Sequence, residues 1–107
     1  MKEADLSKAV IELAATLGYR TAHFRPAQNA KGQWRTPVAG DGKGFVDCVI
    51  VGRGRIIFAE LKVGRNRLGD HQEWWRDEIL ANGGEWFLFT DKDWSSGAIE
   101  RELKGGR

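Results

Sequence analysis

The sequence predicts an α/β fold: one domain built on a central mixed four-stranded sheet with helices on its flanks. Three observations predict it. Residues 3–17 and 70–82 carry apolar side chains at helical spacing. Short runs rich in Val, Ile and Phe lie between and after these two segments. A strand–helix–strand succession over residues 55–90 demands a right-handed crossover and a parallel pair, next to a hairpin whose strands are antiparallel. At 107 residues the chain has room for a single core, so residues 1–107 form one domain.

The first helix follows from Leu6, Val10, Leu13 and Leu17 on one face, and Gly18 stops it. Residues 19–24 read as a short strand. Residues 25–44 hold Pro26, Pro37 and four glycines, which makes them a long loop rather than an element. Loops of that length inside a small domain are usually functional or mobile. Residues 45–51 and 55–63 are apolar on both faces, and Gly52-Arg53-Gly54 between them signals a hairpin turn. Strands apolar on both faces imply a sheet covered on both sides. Residues 64–69 form a second basic loop. The helix at 70–82 has Gly69 or Asp70 at its N-cap and Glu73 in its first turn, and Gly83-Gly84 ends it. Residues 85–90 are the fourth strand, residues 93–103 a closing helix and residues 104–107 a frayed tail. The resulting order is αβββαβ(α).

Composition excludes several classes of protein. No stretch reaches the roughly 20 apolar residues of a membrane span, and the charged N-terminus is not a secretory signal. The single Cys48 has no disulfide partner in the chain, and no Cys/His cluster has zinc spacing. A reducing, intracellular setting is expected. The net charge of +2 hides an uneven distribution: residues 20–67 carry ten Lys/Arg against three acids, and residues 68–107 carry five against nine. A basic middle of this kind points to a face that attracts a polyanion.

Into the apolar hairpin the sequence sets three charges, Asp47, Glu60 and Lys62. With Arg53-Gly54 as a two-residue turn, Asp47 lies opposite Glu60 on the same face, Cβ atoms about 4.5–5.5 Å apart. Lys62, two residues on, shares that face. Carboxylates that close repel, and one pKa rises unless a cation sits between them. A divalent cation such as Mg2+ or Mn2+ suits hard oxygen donors of this type. The structural alternative is a buried Glu60–Lys62 ion pair with Asp47 nearby.

Gly44-Phe45-Val46-Asp47, then Glu60-Leu61-Lys62 thirteen residues after Asp47, then Gln72 and Trp75 in the next helix, resemble the virus-type replication-repair nucleases (VRR-Nuc) of the PD-(D/E)XK superfamily. The resemblance runs from the first helix to Asp93-Trp94. It implies a restriction-endonuclease-like core and Mg2+- or Mn2+-dependent hydrolysis of DNA phosphodiester bonds, in replication, recombination or repair. The corresponding setting is the cytoplasm of a bacterium or a phage-infected host cell. It further implies that Asp47, Glu60 and the backbone carbonyl of Leu61 ligate the metal, and that Lys62 orients water or stabilises phosphate charge. Gln72 matches the helix glutamine that borders the family's site; a core glutamine bonded to backbone is the other reading. The family also places an acid in the first helix. Glu3 lies about 50° from the centre of the apolar stripe and Glu12 about 130° away, so Glu3 is the choice. The family pattern has proline where Val46 stands, and the 25–44 loop is longer than in its minimal members.

Phosphate contacts are expected from Arg25, Lys31, Arg35, Lys43, Arg65 and Arg67. Trp34, in the same basic loop, reads either as a base-stacking platform or as a lid on the core. His23 is a further phosphate contact or a strand-edge residue, and His71 a helix-surface residue. Trp74 and Trp86 read as packing or as part of a subunit interface, since a homodimer extends the reach of a domain this small. The competing functions are a junction-resolving or restriction-type nuclease of the same superfamily, and a nucleic-acid-binding module without catalysis.

Overall fold

The computed structural model describes residues 1–24, 27–28, 30–35 and 38–105, apart from the side chains of Ala27, Trp34 and Arg35. Helix α1 (Glu3–Thr16) leads into strand β1 (Arg20–His23). A hairpin of β4 (Cys48–Gly52) and β5 (Arg55–Lys62) follows a short ribbon of β2 (Ala27–Gln28) and β3 (Trp34–Arg35). Helix α2 (Asp70–Ala81) crosses to β6 (Glu85–Thr90), and α3 (Asp91–Ser95) and α4 (Ala98–Lys104) complete the order. The four long strands form a mixed sheet in the order β1-β4-β5-β6, antiparallel except for the β5–β6 pair. The expected α/β class and mixed four-stranded sheet are both present.

The hairpin register follows from its turn. Arg53 (φ 49°) and Gly54 (φ 75°) both take positive φ, the requirement of a turn that matches strand twist. The Arg53 guanidinium donates to the carbonyls of Leu17 (3.3 Å) and Lys104 (2.8 Å), the loose ends of two helices. The pairs Gly52↔Arg55, Ile50↔Ile57 and Cys48↔Ala59 then line up in sequence.

One sheet face carries the core. Cys48, Ile50, Ile57, Ala59, Leu61 and Phe89 meet Leu6, Val10 and Ala14 of α1 and Ile99 and Leu103 of α4, all buried. Tyr19 ties these layers together, its hydroxyl donating to the Leu103 carbonyl at 2.6 Å. The opposite face departs from the expected full cover. Helix α2 contributes no buried residue, and Val51, Ile56 and Leu88 remain exposed there. A 12-residue helix covers only part of a four-stranded sheet, and the rest of the β4–β5 outer face has no helix above it among the described residues.

Three further expectations change. The 25–44 segment is not a bare loop: Ala27↔Arg35 and Gln28↔Trp34 pair as a ribbon, closed where the Gln28 amide donates to the Gly32 carbonyl at 3.0 Å. The closing helix begins at Asp91 rather than Asp93, because Thr90 caps it. The Thr90 hydroxyl accepts from the Asp93 N–H, and Asp93 accepts from the Thr90 N–H. Gly97 (φ 80°) then breaks the segment into two helices, and α4 reaches Lys104, one residue into the expected tail. Gly106 and Arg107 lie outside the described residues. No helix among the described residues is long and apolar enough to cross a membrane.

Candidate active site

The site forms where the β4–β5 ladder ends. Asp47 immediately precedes β4, and its carboxylate accepts a hydrogen bond from the Leu61 N–H of β5 at 2.8 Å. A side chain there continues the pairing that the backbone abandons. The Asp47 carbonyl accepts from the Phe24 N–H at 2.8 Å, so the same residue also fastens the end of β1. Opposite, Glu60 is only 2% exposed.

Asp47 and Glu60 converge as the register predicts. They are close enough for their carboxyl groups to hydrogen-bond each other. Burial first, then that hydrogen bond and the Asp47 charge, push the Glu60 pKa far above the carboxylate range, to about 9, while Lys62 pulls it down. Lys62 thus shares the site, as the spacing requires. With its pKa raised in this way, the buried Glu60 carboxyl can lie against Asp47.

Gln72 combines both readings of its role. Its amide oxygen accepts from the Gly69 N–H at 2.9 Å, capping α2, and its amide nitrogen donates to Glu60 at 3.0 Å. Gln72, and not Glu73, therefore caps the N-cap N–H, while Gly69 itself offers no side chain to the helix. A core glutamine bonded to backbone and a site-bordering glutamine are one residue here.

The approach of α2 to the site depends on Gly44. Its φ is +80°, and an added Cβ would stand 2.5 Å from His71 Cβ and 2.8 Å from the Gln72 nitrogen. Only glycine lets the segment before β4 lie against the first turn of α2. Next to it, the Trp75 indole donates to the Lys43 carbonyl at 3.1 Å. Phe45 packs edge-to-face with Phe24, Phe58 and Trp75, centroids 4.9–6.3 Å apart. This cluster holds the strand end and the helix in one register.

Glu3 stands where the helical angles place it. Its pKa is raised by partial burial first and by Asp47 second, with Lys62 opposing, so it lies within electrostatic reach of both. Glu12 is exposed, as expected, yet it still lines the same cleft further along α1. The cleft, about 640 Å3, runs from Glu3 and Asp47 past Leu61 to Glu12. Among the described residues, no three His, Cys, Asp or Glu side chains are gathered into a set that holds a metal by itself.

The basic residues divide. Lys31, Lys43, Arg65 and Arg67 are exposed, the last two in the turn that leaves β5 beside Lys62. Arg25 and the side chains of Trp34 and Arg35 lie outside the described residues. Sequence reasoning passed over Lys8 and Phe24, which line the cleft. The signal for Lys8 was its position one turn from Ala4 and Glu12, on the face beside the apolar stripe.

Cys48, adjacent to Asp47, is fully buried, and burial and the two acids push its thiol up to about 12, which leaves it an inert core residue. Compared with protein-family models and with curated proteins, the chain matches none, so the functional case rests on this geometry and on the chain's own residues.

Proposed function

We propose that this chain is a metal-dependent nuclease that hydrolyses DNA phosphodiester bonds on a restriction-endonuclease-like core. One observation carries the reading: Glu60, almost wholly buried, faces another carboxylate, Asp47. A fold stabilises itself by pairing buried acids with cations, so two acids turned on each other mark a position kept for a different reason.

The donor set fits Mg2+ or Mn2+. Asp47, Glu60 and the Leu61 carbonyl supply hard oxygens, with Glu3 within reach, and Mg2+ is commonly held by one or two carboxylates plus water. An ion held by these residues would supply a water of lowered pKa and a polarised phosphoryl oxygen. The chain's own residues do the rest. Lys62 supplies fixed positive charge where negative charge develops on the phosphate. Gln72 holds Glu60 in one orientation through its amide N–H. Lys43, Arg65 and Arg67 bind phosphates on the α2 side, in a salt-dependent way.

The test is cleavage of single-stranded, duplex, flapped and four-way DNA by purified protein with Mg2+ or Mn2+. We expect cleavage that chelation abolishes, and an Asp47→Ala variant that retains DNA affinity without cutting. A protein that binds DNA but cuts none of these substrates with either metal is a binding module, and the proposal fails.

A further inference from the structure

The two sides of the candidate site differ in kind. On the α2 side the cations expected at phosphates, Lys43, Arg65 and Arg67, stand exposed and line neither described cavity. On the α1 side the cleft is a recess walled by Ala4, Ile11 and Phe24, with Lys8, Ser7 and His23 among them. Its volume, about 640 Å3, falls in the range of small-molecule sites. A sugar–phosphate backbone needs cations and gains nothing from apolar walls. A nucleobase gains from both an aromatic surface and edge hydrogen bonds.

Phe24 is held for such a contact. Its N–H is fixed to the Asp47 carbonyl at 2.8 Å, and its ring packs edge-to-face on Phe45 at 5.6 Å. Phe24 and Asp47, which both line the recess, are thus tied to each other by a backbone hydrogen bond. Lys8, exposed on the α1 wall, provides a cation on a side of the site that otherwise carries Glu3 and Glu12.

We propose that this recess is a nucleoside subsite, which receives one unpaired base next to the cleaved phosphate while Lys8 holds the adjoining phosphate. The proposal rests on the nuclease reading and adds a specificity to it. A base within a duplex is paired and stacked and must be unstacked to enter, so strands already unpaired at the cut are the preferred substrates. Phe24 and Lys8 are the residues that set the preference.

The test has a kinetic and a catalysis-free arm. Once wild-type protein has located the cut in a single strand, 2-aminopurine is placed in turn at each flanking nucleotide. Binding is then followed by fluorescence with the Glu60→Gln variant, which holds the strand uncut. One flanking position should respond strongly, and Phe24→Ala in that background should abolish the response. In the active protein, Phe24→Ala and Lys8→Ala should raise KM for single strands about ten-fold, with kcat changed less than about three-fold and a markedly smaller rise in KM for duplex. Phe24→Leu, which keeps the packing against Phe45 but removes the aromatic face, should behave like Phe24→Ala and guards against a folding defect. Equal loss on single strands and duplex, or no responding position, overturns the subsite while leaving the nuclease reading intact. A wild-type protein that cuts no DNA removes both.

Discussion

The β4–β5 hairpin buries charge at both ends, and the ends solve the problem in opposite ways. At the turn end, Arg55 is 6% exposed and its guanidinium binds Glu85 at 2.9 Å, Glu102 at 2.8 Å and the Glu102 carbonyl at 2.7 Å, with the Phe87 ring alongside. One cation faces two acids and each of its three nitrogens donates to an acceptor, so the guanidinium is held charged. At the open end, Glu60 is equally buried but faces Asp47. Lys62 and the Gln72 amide compensate only in part, and burial first and Asp47 second keep the pKa of the acid raised. The turn end balances its charge within the fold; the open end does not, and in the proposed nuclease a divalent cation would balance it. Buried charge alone therefore does not mark a site. Buried charge left unbalanced does.

This contrast breaks most sharply under mutation. Removing a carboxylate at the open end should cost activity far more than stability: Asp47→Ala should lower kcat about 100- to 1,000-fold, on the scale seen when a main electrostatic group is lost, and cost about 1 kcal/mol through the unpaired Leu61 N–H, with an unchanged far-ultraviolet circular dichroism spectrum. At the turn end the pattern should invert. Arg55→Ala should cost about 3 kcal/mol of unfolding free energy in urea titration. That is the lower end of the range for a buried pair, because Glu85 and Glu102 keep 25% and 38% of their side-chain exposure. Its activity per folded molecule should match wild type. An Arg55→Ala protein that folds stably but does not cut would place the turn end in the machinery and dissolve the distinction.

How much of this was legible in the sequence differs in the same way between the two ends. The open end was legible because it is local: a two-residue turn at Arg53-Gly54 determines which residues face each other, and Asp47, Glu60 and Lys62 follow by counting. Gln72 was visible as a polar residue on a packed helical face, but its bond to Glu60 was not, since it depends on how closely α2 approaches through Gly44. The turn end was illegible because Arg55 meets partners 30 and 47 residues away, which no periodicity encodes. The β2–β3 ribbon escaped because two residues per strand carry no alternation to read. The break at Gly97 was written in the chain, but a single glycine inside an amphipathic run does not by itself announce a left-handed turn. The half-open outer face reflects helix placement, which hydropathy does not report.

Gln72 sharpens the contrast at intermediate size. It touches Glu60 and the N-cap of α2 but has no charge to lend. Gln72→Ala should reduce activity or metal affinity about 10- to 100-fold, the cost typical of losing a group that orients a ligand. Because the α2 cap is lost too, stability should fall by about 1 kcal/mol. Gln72→Glu should restore the cap while adding a third acid, and so recover stability without activity. Both values come from parallel melting and metal-titration curves. A Gln72→Glu variant that cuts normally would mean that the amide donor is not what holds Glu60.

The smallest effect concerns stability without metal, and its sign is specific. The folded-state pKa of Glu60 lies above the 4.5 of an unperturbed glutamate, raised chiefly by burial and then by Asp47. Between those two values the folded chain binds a proton that the unfolded chain has released, so the unfolded state binds fewer protons and unfolding becomes easier as pH rises. The Glu60 contribution is therefore fully present below pH 4.5 and fades as pH climbs toward 9. Glu60→Gln reproduces the protonated form: its carbonyl accepts from Gln72 and its amide donates to Asp47. In chelator at pH 8 it should melt several degrees above wild type, the scale that about 1 kcal/mol produces in a domain of this size, and the gap should close toward pH 5. Mg2+ should raise the melting temperature of wild type at pH 8 and leave Glu60→Gln unmoved. If the gap instead widens toward low pH, Glu60 is ionised and already paired in the metal-free fold, and the open end differs from Arg55 only in degree.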